Sequence, residues 1–210
     1  ARAFLVMRRG HLVAEYYRRD ADATALVDAG GFAEVLAAIS AGVAQAEGML
    51  RIQDSAPFDA QAMATAIASG SGKSYADFLS QRVWQPMNAA EARLIDPATG
   101  FAARIADWLR VAAMLLARGK FEGTDIVAES WVQFMRQPVQ PQRGMGVQLA
   151  GSVSGAEPFA SDGVFYLRGR DRWRLWMVPE LELAILLAAD GAGDGWDETL
   201  LPNQVIRAVT

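Results

Sequence analysis

The sequence has no cysteine, which excludes disulfides, thiolate nucleophiles and cysteine-ligated zinc, and leaves the redox compartment open. A single histidine, His11, excludes any metal site that needs two imidazoles. Lysine occurs only at positions 73 and 120, and asparagine only at 88 and 203. No apolar run approaches the ~18 residues that cross a bilayer, and the longest candidate, Leu181 to Ala189, is broken by Glu182. No membrane span is expected. Twenty basic against 24 acidic residues leave a net charge of −4, which argues against a dominant phosphate-binding surface and against nucleic acid as a partner.

What is present is a 210-residue chain that is 52% hydrophobic and 21% charged, the composition of a globular protein rather than a disordered one. A chain of this length buries about 70% of its unfolded surface and is expected to fold without staples. It begins at Ala1-Arg2-Ala3-Phe4, inside what reads as a strand, with no initiator Met and no signal-peptide pattern. The expectation is that a segment upstream was removed or is not included in this chain, and the compartment, cytoplasmic or periplasmic/secreted, is undecided.

Phe4 to Met7 and Leu12 to Tyr17, separated by a glycine turn, predict a β-hairpin. From Phe32 to Ala46 apolar residues recur at helical spacing before Gly48. Further helices are predicted over 59–68, from Ser74 towards Pro86, over 102–117 and over 129–135. Strands are predicted around 147–149 and over 163–167, 174–178 and 183–188, with a terminal helix over 199–209. Sheet material at both ends predicts an α+β fold whose antiparallel sheet is completed by the two termini, with flanking helices and a reduced helical lobe. The expected organisation is one domain over 1–210, with a sheet lobe of 1–19 plus 160–210 and a helical lobe of about 20–150. No internal repeat or low-complexity tract is visible.

Several segments in this order resemble one family. They are the hairpin from Arg9 to Tyr17, the helix ending Gly42 to Gly48 before Asp54, and Gly72-Lys73-Ser74-Tyr75 with Trp84-Gln85-Pro86-Met87. Later blocks are Ala102 to Gly119, Ile126 to Val132, Trp176 to Glu180 with Leu183, and Gly195 to Glu198. Together they resemble the serine hydrolases related to class C β-lactamases and penicillin-binding proteins, including the esterase and 6-aminohexanoate-dimer-hydrolase-like branches.

The resemblance implies a β-lactamase/transpeptidase-like fold, no cofactor, and chemistry resting on a Ser-x-x-Lys pair, a Tyr-x-Asn or Ser-x-Asn, and a Lys-Thr-Gly or His-x-Gly strand. In such a site the serine attacks an acyl carbon while lysine and tyrosine ease removal of its proton. Neither lysine here has a serine three residues before it, since those positions hold Gly70 and Ala117. Counting back from Gly48, the serine position falls on Gly31 and the lysine position on Glu34. Pro86 and Leu201 stand where the second motif needs a tyrosine or serine. The region that carries this motif in the family is missing between Asp54 and Ala60. The third motif falls on Arg170-Asp171-Arg172. No catalytic residue is expected. Gly31, Glu34, Arg170, Asp171 and Arg172 are the candidates for a vestigial site.

Sharper readings of other residues carry less weight than structural ones. Ser71-Gly72-Lys73-Ser74 resembles the end of a phosphate-binding loop, but Ile67 occupies the required glycine position, so a helix-to-helix turn capped by Ser74 is expected. His11 reads as a solvated turn residue rather than a general base. Arg168, Arg170, Arg172 and Arg174 alternate and are expected on one sheet face, solvated or guarding an edge, with Glu34 a candidate partner for one of them. The six tryptophans fit core packing. Asp190, Asp194, Asp197 and Glu198 read as a strand-to-helix loop rather than a calcium site.

The functional expectation is a shortened, catalytically inactive homologue with a binding or structural role, its small-molecule or protein partner unidentified. The alternatives are an active serine hydrolase, with its catalytic segment absent from this chain or replaced by residues such as Ser69 or Ser71, and a scaffold or homo-oligomerisation domain.

Overall fold

The structure, a computed structural model, describes residues 1–52, 57–153, 155–191 and 195–210. Asp54, named above as following the first helix, and Asp194 lie outside the described residues.

β1 (Ala3–Arg8) and β2 (His11–Tyr17) form the expected hairpin. Its turn residues Arg9 and Gly10 both have positive φ, 50° and 77°, the backbone twist that a two-residue turn needs to match the strands it joins. β3 (Val27–Asp28) leads through a 3₁₀ turn at Gly30–Phe32 into α1 (Ala33–Ala46). α2 (Ala60–Ser71) starts where the Asp59 carboxylate accepts hydrogen bonds from the backbone of Gln61 and Ala62, and ends at Gly72, whose φ is 68°. α3 (Tyr75–Leu79) is capped by Ser74, as expected, and then loosens into a π turn over Ser80–Trp84 and a 3₁₀ turn over Gln85–Met87. Pro86 lacks a backbone N–H and cannot continue an α-helical ladder.

β4 (Arg93–Asp96) and β5 (Gly100–Ala103) precede α4 (Asp107–Leu116). The helix predicted from Ala102 therefore begins five residues later. Ala102 and Ala103 instead pair with Asp28 and Val27, because the short apolar run Phe101-Ala102-Ala103 suits a buried strand as well as a helix and non-local pairing decides. β6 (Lys120–Phe121), β7 (Thr124–Asp125), α5 (Glu129–Met135) and β8 (Gln148–Leu149) follow. The chain closes with β9 (Phe165–Arg168), β10 (Arg174–Val178), β11 (Leu183–Ala188) and α6 (Leu200–Val209).

The main sheet is antiparallel, in the order β2-β1-β11-β10-β9-β8, so the two ends of the chain meet in its middle. Alternation along β1 sends Leu5 and Met7 to one face, under α1 and α4, and Val6 to the other, under α6. On the first face Trp108 is fully buried, with ring centroids 5.0 Å from Phe32, 5.7 Å from Phe101 and 5.9 Å from Trp84. The tryptophans thus serve packing. No helix among the described residues is long and apolar enough to cross a membrane.

Because β1 sits between β2 and β11, deleting residues 1–19 removes an interior strand and exposes β11. The truncated chain is expected to lose its cooperative thermal transition, followed by circular dichroism. Leu5→Ala in the full chain is expected to cost about 2–5 kcal/mol in urea unfolding, as for other fully buried large-to-small changes.

Candidate functional site

The start of α1 is built by backbone contacts. The Asp28 carboxylate accepts hydrogen bonds from the N–H groups of Gly30 and Phe101, both at 3.0 Å, and this turns the chain out of β3. The N–H of Arg170 then donates to the carbonyl of Ala29 at 3.2 Å. A Cβ on Gly30 would stand 2.8 Å from the Arg170 nitrogen, and one on Gly31 would stand 2.7 Å from the Arg168 carbonyl oxygen. Gly31 therefore lies at the N-terminal end of the first long helix, against the C-terminal end of β9. Its missing side chain leaves no hole, because strand backbone occupies the space.

Glu34, one turn further, accepts a 2.8 Å hydrogen bond from Arg143. This corrects the expected pairing with one of the arginines at 168 to 174. Burial raises the Glu34 pKa, and the nearby Arg143 guanidinium opposes that rise. Arg143 arrives on the segment after α5, which folds back across the helix. Gly146, at φ 70°, lies so close that a Cβ would meet the Glu34 carbonyl at 2.8 Å and the Ala38 methyl at 2.9 Å. The flanking Met145 and Val147 are buried. This strap packs against the first turns of α1 at Glu34, Val35 and Ala38.

The four arginines do not share one strand face. Arg168 and Arg174 stand opposite each other in β9 and β10, while Arg170, Asp171 and Arg172 lie in the connecting turn, where Asp171 has φ 48°. A turn breaks the period-2 alternation that the expectation relied on. Arg170 lies 3.6 Å from the Asp171 carboxylate, and Arg172 donates to the carbonyls of Asp190 and Gly191. Of the vestigial-site candidates, the structure sets Gly31 against the Arg168 carbonyl, while the backbone of Arg170 meets Ala29 and Gly30 just before it. It leaves Glu34 with the strap and turns Arg172 towards the end of β11.

The sequence reading missed a second charged cluster, on the α6 side of the sheet. Glu198 is 5% exposed and accepts hydrogen bonds from both Arg174 and Arg168, the latter at 3.0 Å. The Arg174 guanidinium lies 4.9 Å from the Trp196 ring centroid, and desolvation lowers its pKa. Glu198 lies 24 residues from Arg174, and no local pattern links them. Only the run Trp196-Asp197-Glu198 marked the segment. Asp197, in the strand-to-helix loop, accepts from the Thr199 hydroxyl and from the backbone N–H groups of Ala156, Thr199 and Leu200, and these bonds lower its pKa.

The remaining motifs take structural positions. Ser71 accepts a backbone bond from Lys73, the Lys73 ammonium donates to Gln81, and Ser74 caps α3. Ser69 is exposed at the end of α2, and His11 is exposed beside the hairpin turn. Among the described residues no group of three His, Cys, Asp or Glu side chains is placed to hold a metal ion.

Two outcomes follow for the charged pairs. Glu198→Ala leaves Arg174 buried without its carboxylate and is expected to cost about 3–5 kcal/mol in urea unfolding, whereas Arg168→Ala, at a half-exposed guanidinium, is expected to cost less than about 1 kcal/mol. For Glu34, a raised folded-state pKa means that the folded chain binds the proton more tightly than the unfolded chain. Its contribution is therefore most favourable below the ordinary value of 4.5 and is lost as pH rises through the folded value. Glu34→Gln is expected to match or slightly exceed the parent's stability at neutral pH, with the two denaturation midpoints converging in acid.

No family model and no curated protein matches the chain. Solved structures do match. A β-lactamase from Mycobacterium bovis superposes with a TM-score of 0.76 at 17% identity, over 98% of this chain and 93% of that one. A protein assigned as a 6-aminohexanoate-dimer hydrolase, from Bacillus anthracis, gives 0.73 at 15% identity, over 88% and 72%. The octameric penicillin-binding protein homologue of Pyrococcus abyssi gives 0.74 at 10% identity, over 98% and 72%. Identities this low speak to architecture, and by that measure the chain has the fold of the β-lactamases and penicillin-binding proteins.

Proposed function

We propose that this protein is a shortened homologue of the β-lactamase-related serine hydrolases that performs no acyl transfer and acts through binding. The observation that carries this reading is the packing at Gly31. The nucleophile position is a glycine pressed against the Arg168 carbonyl, with 2.7 Å left for a Cβ. Three further facts support it. The lysine position is Glu34, which is paired with Arg143. The strap around Gly146 packs against that turn of α1, at Glu34, Val35 and Ala38. Ser71, the replacement nucleophile nearest a lysine, accepts a bond from that residue's backbone while the Lys73 ammonium turns to Gln81. A serine hydroxyl without a base to take its proton is a poor nucleophile, and loss of the whole nucleophile-base unit leaves only residual acceleration.

The test is labelling of the purified chain with fluorophosphonate and penicillin probes, alongside turnover of activated esters and β-lactams. No stoichiometric adduct by mass spectrometry and no rate above a denatured control are expected. An adduct mapped to any serine would overturn the reading. Restoring the motif gives a second check: Gly31→Ser with Glu34→Lys is expected to remain inactive and to lose about 1–3 kcal/mol of stability through overpacking.

A further inference from the structure

We propose that the outer edge of β2 docks an extended peptide segment with acidic ends by strand addition. β2 is an edge strand of the six-stranded sheet, and among the described residues β1 is its sole hydrogen-bonding neighbour. An edge strand presents a row of unpaired N–H and C=O groups, which proteins usually blunt with lysine, proline or short length. β2 runs for seven residues without lysine or proline, its regularity broken by one bulge at Val13, where Val6 pairs with Ala14 and Met7 with Leu12. It also exposes large apolar side chains, with Leu12 47%, Val13 57% and Tyr16 53% accessible.

The two faces beside this edge differ. Tyr16 stands opposite Phe4 on the α6 side, and Leu12 stands opposite Met7 on the α4 side. Leu12 and Met7 line a groove of about 570 Å³ with Leu109, Ala113 and Phe121, and its charged lining is balanced, Arg9, Arg110 and Lys120 against Asp107, Glu122 and Glu182. The groove has enough room for an apolar side chain from an added strand, whose alternate residues would point towards it.

Charge decides what kind of strand fits. Residues 1–19 hold five arginines against one acid, Glu15, whereas the remaining chain holds fifteen basic against 23 acidic residues. The arginines bracket the edge, with Arg8 and Arg9 at one end of β2 and Arg18 and Arg19 at the other. Arg18 is paired with Asp20. Arg8, Arg9 and Arg19 have no carboxylate at ion-pair distance among the described residues. Antiparallel pairing of two β2 edges about Ala14 would bring Arg9 of each copy to Arg19 of the other, so a second copy is electrostatically disfavoured. A segment of about ten residues, spanning roughly 33 Å at the strand rise, would set acidic ends against both arginine pairs. Glu15 selects a neutral or basic residue near its centre.

The probe is a fluorescein-labelled decapeptide with two aspartates at each end and alternating threonine and valine between, titrated against the full chain by fluorescence anisotropy. Saturable binding that weakens with added salt is expected, and Arg9→Glu with Arg19→Glu should weaken it at least tenfold. The control pair, Arg51→Glu with Arg93→Glu, changes net charge equally at exposed sites elsewhere and should leave binding within twofold. Circular dichroism verifies that both variants fold. Equal losses in the two variants would reduce the effect to bulk charge and overturn the proposal. So would equal binding of a lysine-ended peptide, or of an acidic peptide with prolines in place of the valines. Sedimentation showing a dimer that Val13→Lys, a charge set on the exposed edge, dissociates would assign the edge to a second copy instead.

Discussion

The seating of the helical layer on the sheet depends on the backbone contact between the start of α1 and the chain leaving β9. The Arg170 N–H bonded to the Ala29 carbonyl, with Gly30 and Gly31 admitting strand atoms where a Cβ would stand, fixes the helix against the sheet. A helix held this close buries residues around much of its circumference, from Ala33 through Ala44, and it seats Phe32 beside Trp108 and Trp173. Close packing of this kind transmits any added volume to the neighbouring strand. Gly30 and Gly31 are therefore the residues that let the sheet and the helical layer meet.

Two carboxylates sit on opposite sides of that sheet with different physical consequences. Glu34 is half-buried and shares its charge with Arg143 at the edge of solvent, so burial raises its pKa and the pair adds little. Glu198 is nearly inaccessible and is held between the buried Arg174 and the half-exposed Arg168, so its loss leaves Arg174 uncompensated in a low-dielectric site while Arg168 keeps its contact with solvent. The first carboxylate ties the segment after α5 to the start of α1. The second ties the segment before α6 to the β9–β10 hairpin, and so to the strand that carries Arg168.

Much of this was legible along the chain. The Arg9-Gly10 turn, the apolar spacing from Phe32 to Ala46, the Asp59 and Ser74 caps and the last three strands are local patterns, and each predicted element formed. Where local patterns were ambiguous the reading failed. Phe101-Ala102-Ala103 fits a helix or a strand, and its pairing with Val27-Asp28, more than seventy residues away in sequence, decided for the strand. The alternating arginines read as one strand face until the turn at Asp171 separated them.

By itself the sequence determined that the chain has no cysteine, only one histidine and no Ser-x-x-Lys motif, so thiolate chemistry and a metal site of two imidazoles are excluded whatever the fold. It also set the α+β architecture, because period and turn chemistry act over a few residues. Only the tertiary structure decided that the space beside Gly31 is filled, that Glu34 answers to Arg143 rather than to the sheet arginines, and that Glu198 is enclosed. Those outcomes depend on which distant backbone segments approach within a few ångströms, a distance that sequence separation does not encode.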